Sequence, residues 1–160
     1  GHALELRVYA EDPMNNFLPS VGKLERYRLP EGEGIRVDGG FTEGMDVPIY
    51  YDPMLSKLVT YGDNREAAMR LMVEAIEAYE VEGVATTLPF GKFVCQHEAF
   101  RSGNFATHFV KQYYQPEMLE EAMQEEAHVA AALAKQLWIK QYEHVDTPAP
   151  AQADWWEQRR

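Results

Sequence analysis

Cysteine is almost missing from this sequence, which has only Cys95 among 160 residues. A single cysteine excludes an internal disulfide framework and suits a reducing compartment. Long hydrophobic runs are missing too. No stretch approaches the roughly 20 apolar residues that a bilayer-spanning helix needs, and the start has no basic segment followed by an apolar one. We therefore predict a cytoplasmic protein that is neither inserted into a membrane nor secreted.

Positive charge is scarce, with 15 Lys and Arg residues against 26 Asp and Glu residues and a formal net charge of -11. A charge of this sign repels phosphate backbones and anionic lipid, so the sequence argues against a nucleic-acid partner. The hydrophobic content of 46% and the charged content of 26% are those of a globular chain. We expect one domain with an appended helical piece.

The motifs of self-contained active sites are also missing. The sequence contains no Walker-type phosphate loop, no GxGxxG that opens a helix and no GxSxG elbow. Its five histidines show no ligand spacing with each other or with Cys95, so we predict no metal site. Residues 31–40, EGEGIRVDGG, are acidic and glycine-rich, which indicates hairpin turns and not a phosphate loop.

What the sequence does contain is a strictly alternating segment over residues 4–11. Its apolar face consists of Leu4, Leu6, Val8 and Ala10, and its polar face of Glu5, Arg7, Tyr9 and Glu11. This alternation predicts a half-buried strand. Residues 18–40 contain short β-forming stretches broken by Gly and Pro, which predicts short antiparallel strands joined by tight turns.

Between Gly62 and Gly83 the apolar spacing changes to three and four residues, which predicts a helix capped by Asp63 or Asn64 and closed by Gly83. A short VATT strand is expected to follow. We then predict a second helix over 88–100, a turn at 101–104, a helical piece at 107–114 and a long helix from Pro116 to about residue 142. The fold class is thus α+β, with an antiparallel sheet flanked by helices and a long C-terminal helix.

Two charged residues stand in segments that otherwise look structural. Asp52 interrupts VPIYYDPMLSKLVTYG; it either makes an Asp-Pro turn or is held beside a ligand or a cationic partner. Arg7 lies between Glu5 and Tyr9 on the polar face of the first strand. It belongs either to a solvated ion-pair ladder or to a site that grips a planar anion with two parallel hydrogen bonds. The pattern leaves these alternatives open.

Four ordered segments carry a resemblance to a known family: GHALELRVYAEDP, NFLPSVGKLERYRLPEGEGIRVD, VPIYYDPMLSKLVTYG and FRSGNFATHFV. Together they resemble the C-terminal domain of biotin carboxylase, an ATP-dependent ligase of the biotin-dependent acyl-CoA carboxylases. The DPMLSKLVTYG variant is most similar to propionyl-CoA or methylcrotonyl-CoA carboxylases. The resemblance implies a biotin carboxylase C-terminal domain at 1–112. A helical extension at 113–145 and a linker with a tryptophan-containing tail at 146–160 would follow.

The resemblance also implies a reaction and its participants. ATP and bicarbonate would give carboxyphosphate, and the carbon dioxide that this releases would carboxylate N1 of biotin. An upstream ATP-grasp domain would bind ATP, magnesium and bicarbonate, so this fragment would be inactive alone. No Met-Lys-Met biotin attachment motif is present. The expected partners are therefore that upstream domain, a separate biotin carboxyl carrier protein, a second copy in a homodimer and a carboxyltransferase subunit.

Site residues follow from the same resemblance. Arg7 matches the arginine that faces bicarbonate and stabilises the negative charge on the ureido oxygen of biotin, and Glu5 and Glu11 could orient it because they share its face. Asp52 matches an acidic residue at the edge of this site, where we expect it to pair with an upstream basic residue. Arg36 and Glu33 match positions in the dimer interface. Glu33 replaces an aromatic residue there, which argues against the same dimer.

Two smaller departures from the family pattern are Thr87, where Asn is frequent, and Ala106, where Asp is frequent. We expect them to alter a turn or a cap and not the chemistry. The alternative interpretation of the whole chain is a non-catalytic binding module. Its helical tail, ending in Trp155 and Trp156, would dock a carboxyltransferase or another partner, and the face that carries Arg7 would only be solvated.

Overall fold

The computed structural model describes residues 1–48, 50 and 52–143, and the expected α+β class is confirmed. In chain order the elements are β1 (His2–Tyr9), β2 (Glu11–Asp12), a 3-10 turn (Pro13–Asn15), β3 (Leu18–Pro19), β4 (Gly22–Lys23), β5 (Arg26–Arg28), β6 (Ile35–Gly39), β7 (Asp46–Val47), β8 (Met54–Gly62), α1 (Arg65–Glu77), β9 (Glu80–Glu82), α2 (Leu88–Gln96), α3 (Glu98–Arg101), α4 (Phe109–Tyr113) and α5 (Pro116–Glu143). The chain divides into two compact units, Gly1–Glu121 and Ala122–Arg160.

The main sheet has the antiparallel order β1-β8-β6, with β8 in the centre. Leu58 of β8 lies opposite Leu6 of β1 on one side and opposite Val37 of β6 on the other. Because side chains alternate along a strand, this register puts one apolar set on a single face. The core-facing residues of the three strands are Leu4, Leu6, Val8, Ile35, Val37, Ser56, Leu58 and Thr60.

Helices α1 and α2 cover this core face. Asn64, one of the two predicted caps, accepts a hydrogen bond from the Ala67 amide at 2.9 Å and starts α1. Along α1, Met72 and Ala75 are fully buried because the three- and four-residue spacing turns them towards the sheet. In α2 a glycine, Gly91, allows the helix to pass close to Leu6 of β1.

A chain of three hydroxyl groups crosses the core. The Tyr79 hydroxyl lies 2.9 Å from Ser56 Oγ and donates to the Tyr27 hydroxyl at 2.6 Å. Burial is the main cause that raises the pKa of Tyr79. These bonds connect β8, β5 and the segment after α1. They also give each of the three buried hydroxyl groups a hydrogen-bond partner.

Three local predictions for residues 63–100 were wrong. Helix α1 ends at Glu77, and the residues before Gly83 form strand β9, which pairs with β5; no VATT strand follows in the structure. Gly83, at φ +100°, instead makes a turn directly over the Lys23 carbonyl. The helix predicted over 88–100 breaks at His97, whose backbone is extended and whose Nδ1 caps α3 by accepting from the Ala99 amide.

The first strand also ends earlier than predicted, because the register shifts between Val8 and Tyr9 and Glu11 pairs with β3 instead. The long C-terminal helix is confirmed over Pro116–Glu143. No helix in the described part of the chain has the length and apolarity to cross a membrane. The predicted linker and tail, with Trp155 and Trp156, lie outside the described residues.

Candidate functional site

The face of the main sheet that points away from α1 and α2 brings together charges from three strands. Strand register aligns Arg7, Lys57 and Asp38 in one row, and Glu5, Val59 and Arg36 in the next. We call these six residues the polar sheet face. The alternation in the sequence predicts the polar side of β1 alone. The two rows of residues could not be predicted in this way, because they depend on which strands pair with β8.

Arg7 is the cation of this face that lies on the edge strand β1. Its Nε contacts Glu5 Oε1 at 3.5 Å, and the two side chains are 59% and 47% exposed. A hydrogen bond with the Tyr9 side chain, followed by one with Glu5, raises the pKa of Arg7 above its ordinary value. The guanidinium is therefore permanently charged, and more than half of the Arg7 side chain is open to solvent.

Glu11 does not share this contact. The ion-pair partner of Arg7 among the described residues is Glu5, so the expectation that Glu11 also orients Arg7 was wrong. Glu11 is separated from Arg7 because the strand register shifts after Val8, which moves Glu11 into β2.

Asp52 is exposed and lies two residues before β8, where it makes the turn that the Asp-Pro signal predicts. Its Oδ1 accepts a hydrogen bond from the Met54 amide at 2.9 Å. The Ala10 amide donates to the Pro53 carbonyl at 2.8 Å, which brings Glu11 close to Asp52. Burial, and then the charge of Asp52, raise the pKa of Glu11. Two carboxylates thus neighbour each other at this end of the sheet.

The two residues predicted for a dimer interface lie at β6. Arg36 belongs to the polar sheet face, and its Nε contacts Asp38 Oδ2 at 3.1 Å with both side chains more than half exposed. Glu33 lies exposed in the turn that precedes β6. The structure therefore brings Arg7 and Arg36 onto one face, and places Asp52 and Glu33 outside it.

The polar sheet face contains three cationic residues, Arg7, Lys57 and Arg36, and two carboxylates, Glu5 and Asp38. Arg7, Lys57 and Arg36 present cationic N–H donors, which bind carboxylates, carbonates and other oxyanions. Within residues 1–48, 50 and 52–143, no three His, Cys, Asp or Glu side chains are grouped so that they could hold a metal ion. Cationic donors of this kind can hold an oxyanion or an oxygen that becomes negative during a reaction.

Comparison with known proteins gives the same assignment along most of the chain. Residues 5–112 match the family described as the biotin carboxylase C-terminal domain. Biotin carboxylase 1 of Bacillus subtilis is 42% identical over 113 residues, which are 71% of this chain and 25% of that protein. The mitochondrial propionyl-CoA carboxylase alpha chain of Caenorhabditis elegans is 47% identical over 116 residues, which are 71% of this chain and 16% of that protein.

A solved structure agrees in fold. The biotin carboxylase domain dimer of Hydrogenobacter thermophilus 2-oxoglutarate carboxylase, in complex with MgADP and bicarbonate, is 38% identical with a TM-score of 0.68. The match covers 69% of this chain and 24% of that one. The chain thus spans about a quarter or less of these relatives, and the resemblance drawn from the four segments is confirmed. This chain belongs to the biotin carboxylase C-terminal domain family.

Proposed function

We propose that this chain forms one wall of a biotin carboxylase active site and that the polar sheet face is that wall. The observation that carries the proposal is Arg7. It stands on strand β1, which pairs with β8, it is charged at every physiological pH, and its side chain is 59% exposed while it contacts Glu5 and bonds the Tyr9 side chain. A guanidinium so placed contributes little to folding but can hold an oxyanion.

In the proposed reaction, biotin supplies N1 as the acceptor of the carboxyl group. Arg7 donates N–H hydrogen bonds to the ureido oxygen, on which negative charge increases as N1 loses its proton, and it also faces bicarbonate. Glu5 holds Nε and so fixes the plane of the guanidinium. Lys57, opposite Arg7 in the sheet, adds positive potential that favours an anion at this position.

The remaining participants would belong to the longer protein of which this chain would be a part, here called the parent protein, or to its partners. ATP and magnesium would bind an upstream ATP-grasp domain, so the 160-residue chain would be inactive alone. Biotin would arrive on a separate carrier, and a carboxyltransferase subunit would receive the carboxyl group. Asp52 would pair with a basic residue upstream, and Arg36 and Glu33 would lie in a homodimer interface. The boundaries 1–112, 113–145 and 146–160 are part of the same proposal.

The acyl acceptor would be set by the carboxyltransferase and not by this chain. The identities to relatives named as pyruvate, propionyl-CoA and methylcrotonoyl-CoA carboxylases all lie between 41% and 47%. These relatives differ in acceptor by name, yet they are about equally similar here. The similarity of the DPMLSKLVTYG segment to propionyl-CoA or methylcrotonyl-CoA carboxylases therefore assigns no acyl acceptor to this chain.

Arg7→Lys in the parent protein tests the proposal. Lysine keeps the charge but loses the planar fork, so ATP binding should stay unchanged and biotin carboxylation should fall about 100- to 1000-fold. Arg70→Lys is the matched control, because Arg70 is an exposed arginine of α1 that contacts Glu74 at 3.7 Å. A wild-type rate in Arg7→Lys with unchanged melting would overturn the catalytic role.

A second candidate function, a docking module, is favoured by α5. Within the second unit, Met123, Leu133 and Leu137 are 53%, 56% and 68% exposed, and the helical repeat puts them within one side of the helix. An exposed apolar stripe suits a protein partner such as a carboxyltransferase. Leu133→Glu with Leu137→Glu in the parent would abolish co-purification of the carboxyltransferase if the stripe is the docking surface, and would leave it unchanged if it is not.

A further inference from the structure

Around Arg7, the outer edge of β1 bonds to one residue of the described chain, Thr87. As the edge strand of the main sheet, β1 has outward-pointing backbone groups that pair with no strand in the described part of the chain. Around Arg7 three of these groups bond to Thr87. The Tyr9 amide donates to Thr87 Oγ1 at 3.0 Å, the Thr87 amide donates to the Tyr9 carbonyl at 3.1 Å, and Thr87 Oγ1 donates to the Arg7 carbonyl at 3.3 Å.

Thr87 is suited to this position by chemistry and by burial. Its hydroxyl accepts from one residue of β1 and donates to another, which no purely donating or accepting group could do. The residue is 5% exposed, so water does not compete for these bonds. Its own carbonyl accepts from the Gly91 amide at 2.9 Å at the start of α2, so the threonine joins β1 to a helix of the core.

We propose that Thr87 is a positioning residue for Arg7, fixing the edge-strand backbone from which the guanidinium extends. Thr87 does not touch the guanidinium; it acts through the Arg7 carbonyl and through Tyr9, whose side chain bonds Arg7. This inference rests on the function proposed for Arg7. It also changes the sequence interpretation of Thr87, which assigned this departure from Asn to a turn or a cap without effect on the chemistry.

The reason that such a residue matters is geometric. A group that stabilises charge in a reaction must be held within about 0.5 Å of its productive position. Arg7 lies on an edge strand, which has the β8 ladder on one side and, among the described residues, no ladder on the other. Without Thr87, the backbone of Arg7 and Tyr9 would be fixed from one side only.

The structural half of the test uses the 160-residue chain. Thr87→Val keeps the shape of the side chain and removes the hydroxyl, so the Tyr9 amide should exchange with solvent about tenfold faster or more. Thr87→Ser keeps the hydroxyl and should retain the slow exchange. Thr86→Val is the matched control, because the hydroxyl of Thr86 accepts from the Leu88 amide at 3.4 Å and not from β1. Unchanged Tyr9 exchange in Thr87→Val would overturn the proposal.

The functional half uses the parent protein and biotin-dependent ATP hydrolysis. Thr87→Val should lower kcat about tenfold or more while the KM for ATP stays unchanged, and Thr87→Ser and Thr86→Val should stay within about threefold of wild type. A wild-type kcat in Thr87→Val would overturn the positioning role. If Thr87→Val does not fold, Thr87→Ser decides, and a kcat loss beyond about threefold there would contradict the hydroxyl's role.

The Arg7→Lys variant separates this inference from the function on which it rests. If Arg7→Lys loses activity and Thr87→Val does not, the positioning role alone is wrong. If Arg7→Lys keeps wild-type activity, the proposed function itself is wrong.

Discussion

The two faces of the β1-β8-β6 sheet are built from neighbouring residues but differ in burial and in their contribution to stability. Val8 and Leu58 are fully buried on the core face, whereas Arg7, next to Val8, is largely exposed on the polar sheet face. Burial of an apolar side chain stabilises the fold by about 1.5 to 3 kcal/mol, and an exposed ion pair adds little. Stability and proposed function are thus separated by one residue along the same strand.

The largest expected effect tests the core face. Leu58→Ala removes a side chain at the centre of the sheet and leaves a cavity, so we expect a loss of about 3 to 4 kcal/mol in the free energy of unfolding, measured by urea denaturation. Lys57→Ala, one residue away on the polar sheet face, is the control and should stay within about 0.5 kcal/mol of wild type. Equal losses in the two variants would contradict the division into two faces.

A smaller effect is expected where polar groups enter the core. Tyr79→Phe removes the hydroxyl that joins Ser56 to Tyr27 and leaves both with one bond fewer, so stability should fall by about 1 to 3 kcal/mol. Tyr61→Phe is the matched control, because Tyr61 is 58% exposed, and its hydroxyl loss should cost less than about 0.5 kcal/mol. Thermal melts of the two variants compare them directly, and a neutral Tyr79→Phe would show that the hydroxyl chain does not stabilise the core.

The smallest effect belongs to the end of the sheet, where Glu11 neighbours Asp52. A raised pKa means that the folded state disfavours ionised Glu11, so this residue lowers stability above its folded pKa and ceases to do so once acid protonates it. Glu11→Gln should therefore raise the free energy of unfolding at pH 7 by less than about 1 kcal/mol, which is measured as a slightly higher melting temperature. At pH 3 the substitution should make no difference to stability. A variant that is less stable than wild type at pH 7 would contradict this sign.

The sequence predicted the two faces well, and the reason is local. Alternation in residues 4–11 is a property of one strand, and it correctly separated Val8 from Arg7. The three- and four-residue spacing of α1 and the choice of caps that included Asn64 are local as well.

What could not be predicted depends on contacts between distant segments. The row of Arg7, Lys57 and Asp38 exists only once β8 pairs with both of its neighbours. The bonds of Thr87 to β1 span about 80 residues, and no pattern near Thr87 indicates them. Gly83 looked like a helix stop because its role in the turn over Lys23 becomes visible only when β9 pairs with β5.

The most direct test of the account is to measure catalytic rate and unfolding free energy together on two adjacent variants, Arg7→Lys and Val8→Ala, in the parent protein. We predict that Arg7→Lys loses biotin carboxylation about 100- to 1000-fold and melts as wild type does. Val8→Ala should lose about 2 kcal/mol of stability and keep most of its rate well below its melting temperature. Wild-type carboxylation in Arg7→Lys, or a stability loss in it equal to that of Val8→Ala, would contradict the account.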